Sequence, residues 1–329
     1  DMNAKYKDLL ARLGRISDFR SAASLLSWDQ ETYMPPAGAE ARATQLSTLQ
    51  ATAHELFVSD ETGDLIAELI TEYADLDYDS LEASILRVSN RNNDRKRRIT
   101  TELVARLTKA ATLGQVAWVE ARKASDFGTF KQHLETMVAL TVELAEVLGY
   151  EERIYDALLD RFEPEMRTSQ VESLFGEMKA GLVPLVEAIS ERRDAIDDTV
   201  FAQEFDEGSQ WDFGVEVIQR LGFDFEAGRQ DQSAHPFTTS FSPSDVRLTT
   251  RVFRDQFKSA LFGSIHEAGH GMYEQGFDRA MDRTPLSAGS SLGVHESQSR
   301  MFENIIGRSR GFWQYWLPEL RNRFPTQLT

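Results

Sequence analysis

The chain contains no cysteine, so disulfides and thiolate metal ligands are excluded. Histidine is scarce, at six in 329 residues. Positive charge is short as well: 36 Lys and Arg stand against 53 Asp and Glu, for a net charge of −17. That balance argues against nucleic acid or an anionic membrane as partner. No apolar run reaches the roughly 18 residues that a membrane-crossing helix needs. The first residues, DMNAKYKDLLARLG, are charged and amphipathic and lack the apolar centre of a signal peptide. Together with the absence of cysteine, this leads to the expectation of a cytoplasmic protein.

What is present is mostly helical periodicity. Residues 3–26 place Tyr6, Leu9, Leu10, Leu13, Ile16 and Phe19 on one side, the pattern of an amphipathic helix. The stretch Ser27–Glu40, SWDQETYMPPAGAE, reads as a loop, because Pro35, Pro36 and Gly38 end whatever precedes them. Its Trp28, Tyr33 and Met34 suit either a plug or the lining of a groove. Helical pattern resumes over 39–58, 62–74, 80–89, 96–125 and 129–148, and again over 169–193, kinked at Pro184, and 212–221. The basic run Arg91–Arg98 reads as a solvated helix start. Residues 223–225, 234–241 and 246–253 are rich in aromatic, Thr and β-branched residues and predict two or three short strands, as an antiparallel ribbon. With no repeat or linker, the expectation is one mostly α domain over 1–329, a multi-helix fold with a groove and a small β-ribbon. The helix carrying Phe312, Trp313 and Trp316 is apolar enough to require a partner.

The chain turns on Phe257–Gly276, FKSALFGSIHEAGHGMYEQG. It contains His266-Glu267-Ala268-Gly269-His270, an HExxH. Positions i and i+4 of a helix share a face, so both His can address one metal ion, with Glu267 close enough to reach a water there. Phe257, Leu261, Ile265, Gly269 and Met272 supply a buried side. Gly269 and Gly271 cost about 1 kcal/mol each relative to Ala inside a helix, and their gain is the close approach of another segment or of substrate backbone.

Two His are not a site, since zinc requires at least a third protein ligand. The metzincin pattern would place a His at 276, which is Gly276. A carboxylate on a second helix is the other solution, and Glu296 in His295-Glu296-Ser297-Gln298 supplies it, on a helix running from Ser290 or Ser291 to Ile306. Glu296, Arg300 and Glu303 form its polar face; an ordinary ion pair of Glu296 with Arg300 is the competing explanation. Four of the six His, at 235, 266, 270 and 295, fall in this part of the chain, while His54 and His133 read as surface or core residues. The chemistry expected of a His₂Glu zinc site is peptide hydrolysis. Glu267 would take the proton of an ion-activated water, with His235, His295 or Arg247 as donors to the oxyanion. Arg247 and Arg300 are candidates for a substrate carboxylate.

At these residues the chain resembles the carboxypeptidase Taq family of thermostable zinc carboxypeptidases. SWDQETYMPPAGAEARATQL resembles the family's N-terminal signature. His235-Pro236-Phe237, Asp245-Val246-Arg247-Leu248-Thr249, His266–His270 and His295–Gln298 stand in family order. The resemblance implies metal ligands at His266, His270 and Glu296, with Glu267 catalytic. One divalent ion per chain, zinc or alternatively cobalt, follows from it. It implies removal of C-terminal residues from peptides with broad preference, poorly when proline is terminal. It further implies a saddle-shaped homodimer whose N-terminal helices, within 1–130, form a lid over a groove, with the active-site region at 223–306. Two further family motifs, IRxxAD-like and GxxQDxHW-like, do not occur. The expectation is therefore a chain without the family's C-terminal part, completed by that fragment as a partner. Two other readings stand beside it: a gluzincin endopeptidase or oligopeptidase, and an inactive fragment or helical scaffold that binds a partner.

Overall fold

In a computed structural model of the chain, residues 3–328 apart from 196 and 198 are described. The N-terminal half is a helical assembly: α1 (Ala4–Thr32), α2 (Ala39–Val58), α3 (Asp60–Glu72), α4 (Leu81–Lys96), α5 (Thr101–Ala124), α6 (Phe127–Leu148), α7 (Ile154–Leu159) and α8 (Thr168–Ser190). The predicted stripe of α1 is its buried face. Tyr6, Leu9, Leu13 and Ile16 pack with Phe57, Ile66, Leu69 and Ile85 of the next three helices. Asn3, Ser59, Ser80 and Thr100 cap helix N-termini through their side chains.

The remainder holds α9 (Glu207–Leu221), β1 (Gly228–Gln232), β2 (Thr238–Ser242), β3 (Asp245–Thr250), α10 (Phe257–Gln275), α11 (Leu292–Arg300) and α12 (Arg310–Arg323). A second core joins them, built on Phe213, Val217, Phe223, Val246, Leu248, Phe257, Ile265 and Trp316. The result is the expected mostly helical fold with a small sheet.

Five local expectations change. α1 continues through Thr32, so only 33–38 interrupts the helices. Nothing upstream of Pro35 breaks a helix, and the proline pair acts only where it stands. The basic run is a helix end rather than a start, where cations complement the carbonyl terminus. Arg91 and Arg95 hold Asp160 at 2.9 and 2.5 Å. Desolvation, with Arg20 and Arg161 nearby, lowers Lys96 to about 7. The sheet is not a purely antiparallel ribbon. Its order is β1-β3-β2, with β1 parallel and β2 antiparallel to β3. Residues 223–225 are not a strand; Phe223 and Phe225 pack against the core, and the strand lies at Gly228–Gln232, whose polar sequence gave no strand signal. Finally, α12 has its partner within the chain. Phe312, Trp316 and Leu320 are buried, and Trp316 meets Phe213 edge-on at 5.5 Å.

Candidate metal centre

α10 carries two opposed faces. Leu261, Ile265 and Ala268 enter the core, while His266, His270 and Glu274, at i, i+4 and i+8, look toward α11. The two helices pack backbone to backbone at Gly269, where an added Cβ would stand 2.6 Å from Ser299 Cα. Gly271 is pressed on its own side by Leu248 and Phe223, each 2.8 Å from where a Cβ would stand. Both glycines therefore serve packing of other segments of the chain.

That close crossing brings Glu296 to the histidines. Its Oε2 lies 3.6 Å from His266 Nε2 and 3.3 Å from His270 Nε2. One donor atom from each of the three residues falls within 4.8 Å of the others. Two ring nitrogens and a carboxylate oxygen converging in this way are a donor set suited to zinc or a related divalent ion. The pair with Arg300 is also present, at 2.7 Å, but it uses the other oxygen, Oε1. Glu296 thus faces both histidines and pairs with Arg300 at once.

The opposite ring nitrogens are engaged, which turns Nε2 of each His toward the centre. His266 Nδ1 lies 2.9 Å from Glu303 Oε2. His270 Nδ1 lies 2.6 Å from His295 Nδ1, and His295 Nε2 lies 2.7 Å from Glu274 Oε1. A tautomer that leaves Nε2 of both rings free as acceptor places the protons on Nδ1, with His266 donating to Glu303, and His270 to His295, which donates to Glu274. One ring is held by a carboxylate directly, the other through an intervening imidazole.

Glu303 sits where the helix widens. After α11 the backbone takes a π turn over Met301–Ile306, a device common at functional sites. Glu303 also accepts from Arg300 at 3.0 Å and Arg308 at 2.8 Å. Burial pushes its carboxyl up, but the bonds from Arg308 and His266 and the charge of Arg300 outweigh that and hold it low. The Glu296 carboxyl is likewise pushed up by burial and held low by Ser299, Arg300 and His266. Burial lowers His270 to about 4, with His295 and His266 adding to the shift, so its ring is neutral where an ordinary imidazole would be charged.

Glu267 is buried on the sheet side of α10, and Thr238 Oγ1 lies 2.7 Å from its Oε2. Burial raises its pKa, and the charge of Glu296 adds to that; the Thr238 bond and the fields of His266 and His235 oppose it. A carboxylate so placed is a stronger base than an exposed one.

Of the other residues singled out, His235 is exposed, its Nδ1 on the Pro236 carbonyl at 2.7 Å. Arg247 is bound bidentately to Asp245, and its guanidinium stands 4.3 Å from the Trp28 ring centre and 4.9 Å from that of Phe241. His295 and Arg300 are both occupied, as described. His54 is a core residue bonded to the Ile99 carbonyl. Sequence reasoning gave no role to Glu274, Glu303 or Thr238. The first two carried a signal, since Glu274 continues the His266–His270 face and Glu303 the Glu296 face; Thr238 carried none.

The sequence matches the family described as Carboxypeptidase Taq (M32) metallopeptidase over residues 8–329. It is 34% identical to Carboxypeptidase 1 of Bacillus subtilis over 98% of this chain and 64% of that protein. With Thermostable carboxypeptidase 1 of Thermus thermophilus the identity is 37%, over 98% of this chain and 65% of the relative. The structure superposes on an M32 carboxypeptidase from Deinococcus radiodurans R1 with a TM-score of 0.86 at 36% identity, covering 99% of this chain and 65% of the other. A Pyrococcus furiosus carboxypeptidase gives 0.86 at 34%, with the same coverage. The chain thus spans just under two thirds of the length of these relatives.

Proposed function

The chain belongs to the carboxypeptidase Taq (M32) metallopeptidase family, and from that membership we propose that it provides the metal centre of a metallocarboxypeptidase acting on peptides with broad preference. The observation that carries this reading is the convergence of His266 Nε2, His270 Nε2 and Glu296 Oε2 beside the buried Glu267. The three would hold one divalent ion, zinc by their chemistry, with cobalt as a substitute. When bound, such an ion polarises the scissile carbonyl and acidifies a water.

The chain's own groups do the rest. Glu267 takes a proton from the attacking water and returns it to the departing amine, and Thr238 holds its carboxylate in place. Glu303 and the His295–Glu274 pair keep both ligand rings in one tautomer and orientation. His235, exposed near Glu267, and Arg247 and Arg300 are assigned to substrate, whereas His295, expected from the sequence to do the same, has both ring nitrogens engaged by His270 and Glu274 and serves the ligand ring instead. β2 lies at the sheet edge, suited to pairing with an extended peptide backbone. The N-terminal helices within 1–130 act as a lid over this groove, above the active-site region at 223–306. A homodimer in the cytoplasm completes the reading.

The test is a zinc-loaded chain incubated with one defined peptide, its products read by mass spectrometry with a chelator control. A ladder shortened residue by residue from the C-terminus supports the proposal. Equal cleavage of a C-terminally amidated peptide, with internal cuts, would replace it by endopeptidase action. Full activity of a Glu267→Gln chain would remove the assigned base.

A further inference from the structure

The SWDQET segment takes no part in the chemistry above, yet it reaches the space beside Glu267. Ser24, Ser27, Trp28 and Glu31 follow at i, i+3, i+4 and i+7 on α1 and form one wall of a cavity of about 650 Å³. Trp118 of α5 and Phe130 of α6 belong to the facing wall, and Phe237 and Thr238 border it from the sheet side. Thr238 is the residue whose hydroxyl bonds Glu267, so the cavity begins one side chain away from the carboxylate.

We propose that this cavity receives a large apolar or aromatic side chain of a peptide, from the residue on the N-terminal side of the scissile bond. The inference rests on the metallocarboxypeptidase reading and adds a subsite to it. Three features support it. The aromatic walls offer burial that a small or charged side chain could not use. β2 is an edge strand; Phe237 bonds to Thr249 of β3, so by alternation Thr238 and Ser240 direct their backbone groups to the open edge. A peptide paired there sends alternate side chains toward the helical walls. Charge then bears on the direction, although His235 borders this cavity too and Arg247 stacks on its Trp28 wall. The cavity contains the Glu31 carboxylate, which accepts from Gln115 at 2.9 Å and would repel a substrate's terminal carboxylate. A separate recess beside His266 is bordered by Lys258, Arg300 and Arg308 against the single carboxylate of Glu303. The terminal residue is drawn to that cationic side, which leaves the penultimate residue at the aromatic cavity.

The test measures binding without turnover. A zinc-loaded Glu267→Gln chain is titrated calorimetrically with acetyl-Ala-Phe-Ala, acetyl-Ala-Ala-Phe and acetyl-Ala-Ala-Ala. Burial of one phenyl group predicts about tenfold or tighter binding of the peptide with penultimate Phe over the all-Ala peptide. Adding Trp118→Ala or, at a second half-buried site, Phe130→Ala should each erase most of that advantage while leaving the all-Ala Kd within about twofold, with circular dichroism unchanged. No advantage for penultimate Phe, an advantage that survives both substitutions, an advantage that follows the terminal Phe instead, or no binding of any peptide overturns the proposal. The metallocarboxypeptidase reading fails separately, when a chain retaining Glu267 does not shorten peptides from the C-terminus.

Discussion

α12 and α8 look alike in sequence and differ in the fold. Each is apolar at helical spacing and each has an internal proline, Pro318 and Pro184. α12 buries Phe312, Trp316 and Leu320 in the core behind the metal helix. α8 buries nothing; Leu174, Phe175, Met178, Leu182, Leu185, Val186 and Ile189 all stay exposed, at 48–59%. Periodicity says that a helix has a face to bury, and it does not say where the partner is. The difference divides the molecule functionally. The groups of the candidate metal centre stand on α10, α11 and the turn after it, which pack against the α12 core, so that region must hold its geometry, whereas α8 makes no contribution to the site.

The largest effects should come from the proposed ligands. His270→Ala or Glu296→Ala should weaken zinc binding, read by competition with a chromogenic chelator, by more than the roughly 10–100-fold typical of outer partners. No substitution on α8 should move it. The comparison is next sharpened by stability. Trp316→Ala, in the core, should cost about 3–5 kcal/mol, and Phe175→Ala, on α8, no more than about 0.5 kcal/mol, both read from denaturant midpoints. Equal costs would show that the face of α8 is covered in solution.

A smaller effect separates the two histidines. Glu303→Gln removes the carboxylate that accepts directly from His266, and zinc affinity should fall by roughly 10–100-fold. Glu274→Gln acts on His270 only indirectly, through His295, so the loss should sit at the lower end of that range. A larger loss for Glu274→Gln would mean that the imidazole bridge, not the direct carboxylate, is the principal support.

Much of this was legible beforehand, for identifiable reasons. His266, Glu267 and His270 lie within one turn of helix, and local spacing settles their relation. Glu296 needed only a second helix and a close crossing, which Gly269 permits. The Trp28 segment reads as loop from the two prolines that follow it, but prolines do not unwind residues they do not touch; as helix, it lines the cavity. β1 went unseen because Gly228–Gln232 is polar and becomes a strand only by pairing with β3. Its Asp231, buried and bound by Arg229 at 2.6 Å and by the Tyr33 hydroxyl, is a tertiary arrangement with no local signal. The destination of α12 was invisible for the same reason: Phe213 lies about a hundred residues from Trp316 in the chain.

The most local effect is a pH dependence confined to the site. In the metal-free chain His270 titrates at about 4, against 6.5 for an ordinary imidazole, because burial disfavours its charged form. Between these values the unfolded chain binds a proton that the folded chain refuses, so His270 makes stability fall as pH drops through that window and contributes no slope above it. Glu267 acts in the opposite sense. Its raised pKa lets the folded chain take a proton first, so from its folded value down toward 4.5 it favours folding as pH falls. The two are separated by denaturation of the metal-free chain against pH, with His270→Asn and Glu267→Gln as partners. His270→Asn should flatten the acid-side loss, and Glu267→Gln should steepen it. Because α8 contains no histidine and none of its residues is buried, its substitutions should leave both slopes unchanged. A slope that moved with Phe175→Ala would couple the exposed helix to the metal site and undo the division between the two regions.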